Sequence, residues 1–183
     1  EKSMAIKTMT ATSVGSDMWK EGWHEMVISE AKAGKWNDKD VIDLSFKDRE
    51  GLSVRIFAAY NKETNEEFSI ANLFKYANAG IVGVLEDPTG KNPVIQYDDD
   101  PKNLVDKAVN VYLFKIGKYS QAGNNIAPVV QEGEHLSYDE KDVEAIKKSC
   151  MRGIQMQIDR AKLKADSKAT TATSATSTED IPF

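Results

Sequence analysis

Two runs of residues constrain this chain more than anything else in it. VIDLSFK (Val41 to Lys47) places Ile42, Leu44 and Phe46 on one side and Val41, Asp43, Ser45 and Lys47 on the other. LSVRIFAAY (Leu52 to Tyr60) repeats the alternation, with Leu52, Val54, Ile56 and Ala58 inward and Ser53, Arg55, Phe57 and Ala59 outward. A period of two marks a half-buried strand, because successive side chains leave a pleated backbone on opposite faces. The link between them, Asp48 to Gly51 (DREG), has room only for a tight turn, so the two strands are antiparallel neighbours. Upstream, Met26 and Ile28 alternate with Val27 and Ser29, which predicts a further strand closed by the turn signal Ala33-Gly34-Lys35. Three strands in sequence make a meander whose outward row carries an arginine and a phenylalanine, an unusual pair for a plain solvent face.

The period then changes. FSIANLFKYANAGI has Ile70, Leu73, Phe74 and Ala77 at helical spacing, with Ser69 as N-cap and Gly80 as stop. Residues 86 to 103 are polar and hold three prolines and the run Asp98, Asp99, Asp100, with a short strand suggested near Pro93 to Tyr97. Ala108 to Tyr119 (AVNVYLFKIGKY) is a firm strand with Val109, Val111 and Leu113 on one face and Tyr112, Phe114 and Ile116 on the other. Such a strand is either covered on both sides or turns one face to something flat. Gly117, Gly123 and the Asn124-Asn125 pair mark the loop that follows. Val143, Ile146, Cys150, Ile154, Ile158 and Ala161 form one stripe at spacings of three and four, a long C-terminal helix with an acidic first turn after Tyr138-Asp139. Lys162 and Lys164 complement the dipole at its far end.

The resulting order is strand, strand, strand, helix, strand, strand, helix, tail. This is the order of a mainly β protein with helices, the five-stranded Greek-key barrel known as the OB-fold, with one intervening helix. An α+β sheet with helices on one face would produce a similar string. The expected organisation is an arm over residues 1–18, an OB-fold domain over 19–138, a helix over 139–165 packed on the barrel or on a partner, and a disordered tail over 166–183. Residues 1–3 read as a tag remnant ahead of Met4. The helix stripe leaves a homodimer open.

With 183 residues there is enough chain for one core. No apolar run approaches the roughly 20 residues that a membrane helix needs, and the expected setting is soluble and intracellular. A lone cysteine, Cys150, excludes an internal disulfide and a cysteine-based zinc cluster, and its place on the apolar helix stripe marks it as a small buried hydrophobe. Catalytic chemistry is thinly provided. His24 and His135 stand in no metal-ligand spacing, the phosphate-cradling and nucleophile motifs are missing, and Asp98 to Asp100 before a proline reads as a solvated loop. The expectation is a non-enzyme with no cofactor and no metal.

Binding is better served. Aromatic and basic residues lie together at Lys32, Lys35 and Trp36, at Arg55, Phe57 and Tyr60, at Tyr112, Phe114 and Lys115, and at Lys118 and Tyr119. Single-stranded nucleic acid offers flat bases to stack on rings and phosphates to neutralise, each stacked base being worth roughly 1–3 kcal/mol. Trp36, in the polar stretch AGKWNDKD, is the foremost candidate for a stacking platform, and Arg55 for a phosphate contact. The net charge of −5 works against a polyanionic partner, so such a reading rests on a local basic surface.

The last residues, Glu179, Asp180, Ile181, Pro182 and Phe183, follow a Ser/Thr/Ala run too poor in apolar surface to order itself. This tip is similar to the C-terminal tip of bacterial single-stranded-DNA-binding proteins. The body, from WKEGWHEMVISEAKAGKW through FSIANLFKYANAG, resembles phage-encoded single-stranded-DNA-binding proteins built on a diverged OB-fold. That resemblance implies a protein that coats single-stranded DNA during phage replication, recombination or repair in the cytoplasm of an infected bacterium. It also implies that the tip recruits partner enzymes through an apolar pocket with a basic rim. Two rival readings are an OB-like module that binds peptide and a nuclease using Asp98 to Asp100 with Mg²⁺.

Overall fold

The computed structural model describes residues 18–175, with side chains through residue 170. Both the N-terminal arm, apart from its last residue, and the tip Glu179 to Phe183 lie outside the described residues. Strands β1 (Gly22–Trp36), β2 (Lys39–Phe46) and β3 (Ser53–Phe57) form the expected meander. Helix α1 (Ser69–Ala77) follows, then a hairpin of β4 (Ile81–Leu85) and β5 (Val94–Tyr97), a 3₁₀ turn at Pro101–Leu104, and the pair β6 (Ala108–Ile116) and β7 (Tyr119–Ala122). Three two-residue strands, β8 (Ala127–Pro128), β9 (Gln131–Glu132) and β10 (Ser137–Tyr138), lead into helix α2 (Glu140–Ala175). Among the described residues no helix is long and apolar enough to cross a membrane.

The main sheet runs β3-β2-β1-β6-β7, every neighbour antiparallel, with β8 added to β6. Its outer strands, β3 and β7, do not pair with each other, so the sheet is open and the expected closed barrel is not formed. The reason lies in the connections: β7 is only four residues long, and the chain then turns into β8 and back onto β6, which takes up the backbone that would have bridged to β3. Long β1 serves both halves, pairing with β6 through Gly22 to Val27 and with β2 from Ile28 onward.

One irregularity in β1 governs what faces where. Ile28 lies opposite Phe46 but Glu30 opposite Ser45, so Ser29 is an extra residue, a β-bulge. An inserted residue reverses the alternation that follows it. Met26 and Ile28 point into the core ahead of the bulge; past it the odd residues Ala31 and Ala33 line up with the buried Leu44 and Ile42. The strand also continues through Ala33-Gly34-Lys35, where the sequence predicts a turn. The true turn is Asn37-Asp38, both at positive φ (48° and 63°), the backbone that a two-residue hairpin requires and that Asn and Asp tolerate best.

The core gathers Met26, Ile28, Leu44, Phe46, Val54 and Ile56 from the meander, Val109, Val111 and Leu113 from β6, and Leu73 and Phe74 from α1. For β2, β3 and the first helix these belong to the apolar faces that the sequence predicts, and on β6 they are one of its two apolar faces. Ser69 is not the N-cap; it is the first helical residue, and Phe68 occupies the cap position without a side-chain bond. The cap comes from Glu67, whose carboxylate accepts from the backbone N–H groups of Ala59 at 3.1 Å, Ser69 and Ile70 at 2.8 Å each, and Ala71 at 3.0 Å. A carboxylate there satisfies the helix's orphan donors and meets the positive end of its dipole. Replacing Glu67 by alanine is expected to lower stability by about 2 kcal/mol, the scale of hydrogen bonds to a charged group, as read from urea unfolding midpoints. The helix stops at Asn78 (φ 52°, ψ 46°) rather than at Gly80. Gly80 is needed for another reason: a Cβ there would fall 2.4 Å from the Asp98 carbonyl oxygen.

Helix α2 lies against its own sheet, over β6, β8 and β10, with Val143, Cys150 and Ile154 buried. It opens on a reciprocal cap in which Asp142 N–H donates to Asp139 Oδ1 at 2.8 Å and Asp139 N–H to Asp142 Oδ2 at 3.2 Å. Gly153 allows the close approach of Asn125, whose Nδ2 would be 2.7 Å from a Cβ at that position. The helix runs on through residues 166–175, which composition assigns to a disordered tail. Extending a helix already nucleated on a packed surface needs no new nucleus, alanine and lysine favour it, and Thr170 Oγ1 donates back to the Asp166 carbonyl at 2.9 Å.

Candidate nucleic-acid interface

Because of the bulge, the outward face of the meander is ordered in rows across three strands. Glu30, Ser45 and Ser53 form the first, Lys32, Asp43 and Arg55 the second, and Gly34, Val41 and Phe57 the third; Trp36 faces Lys39 beyond them. Trp36 and Phe57 meet edge to face, with ring centroids 5.7 Å apart and planes at 77°. Trp36 is the last residue of β1, not part of a turn, and remains 49% exposed. A large ring half out of water on a strand end, braced by a second ring, is a platform for a flat ligand.

Charge on this face is largely compensated. Arg55 donates from Nε and Nη2 to the two carboxylate oxygens of Asp43 at 2.7 and 2.9 Å. This hydrogen bond, directly across the strand pair, holds the Asp43 carboxyl below its ordinary value of 3.8. The pair therefore contributes to stability at pH values above that ordinary value, and its contribution fades as pH falls through the lowered one. Both side chains are exposed enough for solvent and salt to screen it. Lys32 pairs with Glu30 at 3.0 Å, and Lys35 with Asp40 at 3.6 Å. Lys32 and Lys35 both follow the bulge and, three residues apart, alternate to opposite sides of the sheet, so only the former shares a face with Trp36.

Between the unpaired edges of β3 and β7 runs a groove. Arg55 and Phe57 stand on one wall, Ser120 and Gln121 on the other, and Asn124 and Gln157 at the floor. Helix α2 secures the second wall, since Gln157 accepts from Asn124 N–H at 2.9 Å and donates to the Ala122 carbonyl at 3.2 Å. At one end the groove continues past Gly51, Leu52 and Ser53 into a shallow cleft with Arg49, Ser45 and Ser29. At the other, Gln121 leads into a cleft formed by the β6–β7 turn and α2, lined by Ile116, Lys118, Tyr119, Ala161, Lys164 and Lys168. Tyr119 is 65% exposed, and the Lys118 ammonium sits 5.3 Å from its ring centroid.

The structure thus brings Trp36, Phe57, Arg55, Lys118 and Tyr119 to one continuous surface, with Lys32 beside it. Phe114 is a correction. It is 1% exposed, on the side of β6 along which α2 runs, and cannot meet a base. Both apolar faces of β6 are covered, as a strand at the centre of the sheet requires. Tyr112 packs edge to face on Trp23, its cross-strand partner, at 5.5 Å, and Lys147 of α2 lies over that tryptophan. Lys115 sits opposite Ser120, its backbone N–H bonded to Glu21. Tyr60 lies past the end of β3, bridged to Glu67. Asp98 and Asp100 accept from the backbone N–H groups of Asp100 and Lys102, so the acidic run caps a 3₁₀ turn. Cys150 is buried, and burial pushes its thiol up.

Lys164, Lys168 and Gln121 carry no sequence signal that marks them for a site. The lysines belong to a stretch that composition assigns to a helix end and tail, and only the packing of α2 beside the β6–β7 turn gives them a cleft to line. Compared with family models, curated proteins and solved structures, the chain finds no match among any of the three.

Proposed function

We propose that this protein binds single-stranded DNA without sequence preference and without catalysis, on an open variant of the OB-fold. The observation that carries the reading is the Trp36–Phe57 ring pair, its tryptophan half out of water and its phenylalanine on the wall of a groove that continues to the exposed Tyr119 and to lysines. Rings spaced along a groove suit successive bases of any identity, since every base has a stacking face. The order of the strands in the main sheet, three in a meander and then, after α1 and the separate β4–β5 hairpin, the pair β6–β7 whose first strand returns to β1, supports the OB-like reading. In the setting that the resemblance implies, the protein coats single strands during phage DNA replication or recombination, and Glu179 to Phe183 engages partner proteins.

A second reading has its own support. The free edges of β3 and β7 flank the groove, and an extended peptide could add to either as a strand. Salt separates the two. A fluorescein-labelled thymidine oligomer titrated with the protein should show a rise in anisotropy whose midpoint moves steeply to higher protein concentration as NaCl increases, because bound phosphates release counterions. Anisotropy that stays flat at low salt would overturn the DNA reading and leave the peptide one.

A further inference from the structure

The two walls of the groove differ in how their cations are engaged. On β1 to β3, Lys32, Lys35 and Arg55 each face a carboxylate, leaving Lys39 at the hairpin end. A phosphate arriving at Arg55 has to compete with Asp43, which already holds two of its donors. Lys118, Lys164 and Lys168 are different: none has a carboxylate partner among the described residues, and all three line one cleft. Lys164 and Lys168 are one helical turn apart, a spacing that sets their Cβ atoms about 5–6 Å from each other on one face of α2 and makes the like charges mildly unfavourable neighbours that an anion would relieve.

Resting on the single-strand reading above, we propose that the groove divides the work: Trp36 and Phe57 take bases, and the cleft between the β6–β7 turn and α2, through Lys118, Lys164 and Lys168, takes the phosphates. The long helix is then part of the binding surface as well as a support for the sheet. Continuity favours this ligand over an acidic protein segment, because Gln121 lines both the ring-bearing groove and the lysine cleft, so one extended strand can occupy both. Tyr119, under the Lys118 ammonium, offers a further ring within the lysine cleft.

The test uses the full chain carrying Lys118→Gln, Lys164→Gln and Lys168→Gln together. Glutamine keeps helix propensity close to that of lysine, and far-ultraviolet circular dichroism checks that α2 persists. With the labelled thymidine oligomer, the slope of log affinity against log salt should become shallower by about 2, at roughly 0.7 for each single-strand phosphate that is no longer neutralised. A triple variant with the parental slope, when the parent itself binds, overturns the division of roles and leaves single-strand binding standing. That same slope with loss of binding to a labelled polyglutamate peptide assigns the cleft to acidic protein segments and equally overturns it. A parent that does not bind the oligomer at all removes both readings.

Discussion

Trp36→Ala should weaken binding of a thymidine oligomer about 5- to 150-fold, the equivalent of roughly 1–3 kcal/mol for one stacked base. The ring lies outside the apolar core, at a strand end and 49% exposed, so its removal leaves no cavity and the thermal midpoint should hardly move. Fluorescence gives an independent reading. Trp19 lies beneath the Arg49 guanidinium and is packed on the core, and Trp23 is held between Tyr112 and Lys147. Quenching on addition of oligomer should therefore come from Trp36 and vanish in the variant. Equal affinity and equal quenching in both proteins would take Trp36 out of the interface. Phe57→Ala is not a clean substitute for this experiment, because Phe57 is also the brace.

Phe114→Ala should do the reverse. This ring is enclosed between β6 and the helix that covers it, and deleting a buried phenylalanine costs about 3–5 kcal/mol, from the apolar surface no longer buried and the cavity left behind. The urea midpoint should fall sharply, and the thermal midpoint by roughly 2–4 °C for each kcal/mol in a domain of this size. The fraction that remains folded should bind the oligomer as the parent does. A variant of unchanged stability with weakened binding would return Phe114 to the interface. The two substitutions form a pair: one aromatic from each of two clusters visible in the sequence, one expected to act on binding alone and the other on folding alone.

Much of the framework is legible in the sequence because it depends on short-range periodicity. Of the inward sets, Ile42, Leu44, Phe46, Leu52, Val54 and Ile56 are buried and Ala58 is half-buried; on α1, Leu73, Phe74 and Ala77 are buried and Ile70 is half-buried. Along α2, Val143, Cys150 and Ile154 face the protein's own sheet. The weak strand near Pro93 to Tyr97 is β5, whereas its partner β4 is not among the expected strands although Ile81, Val82 and Val84 are β-branched. Other features have no local signal. Glu67 caps α1 from outside the helix, from a position where a carboxylate ordinarily reads as surface, and the backbone bends to bring Ala59 to it as well. The extension of α2 through alanine, threonine and lysine reflects a helix already held by its packed first half.

Periods of two and of 3.6, together with the cost of exposing apolar surface, are enough to say from the amino acids alone where most strands and helices lie and which side of each is apolar. They do not set the phase of β1. An unbroken alternation from Met26 would carry Lys32, Gly34 and Trp36 to the core side, and the single extra residue at Ser29 turns them outward to stand beside Arg55 and Phe57. Only the pairing of β1 with two different neighbours puts the bulge there, and only the docking of α2 beside the β6–β7 turn sets Lys164 and Lys168 next to Lys118. A face is a property of one segment, but a site is made where segments meet, and those meetings depend on contacts between residues far apart in the chain.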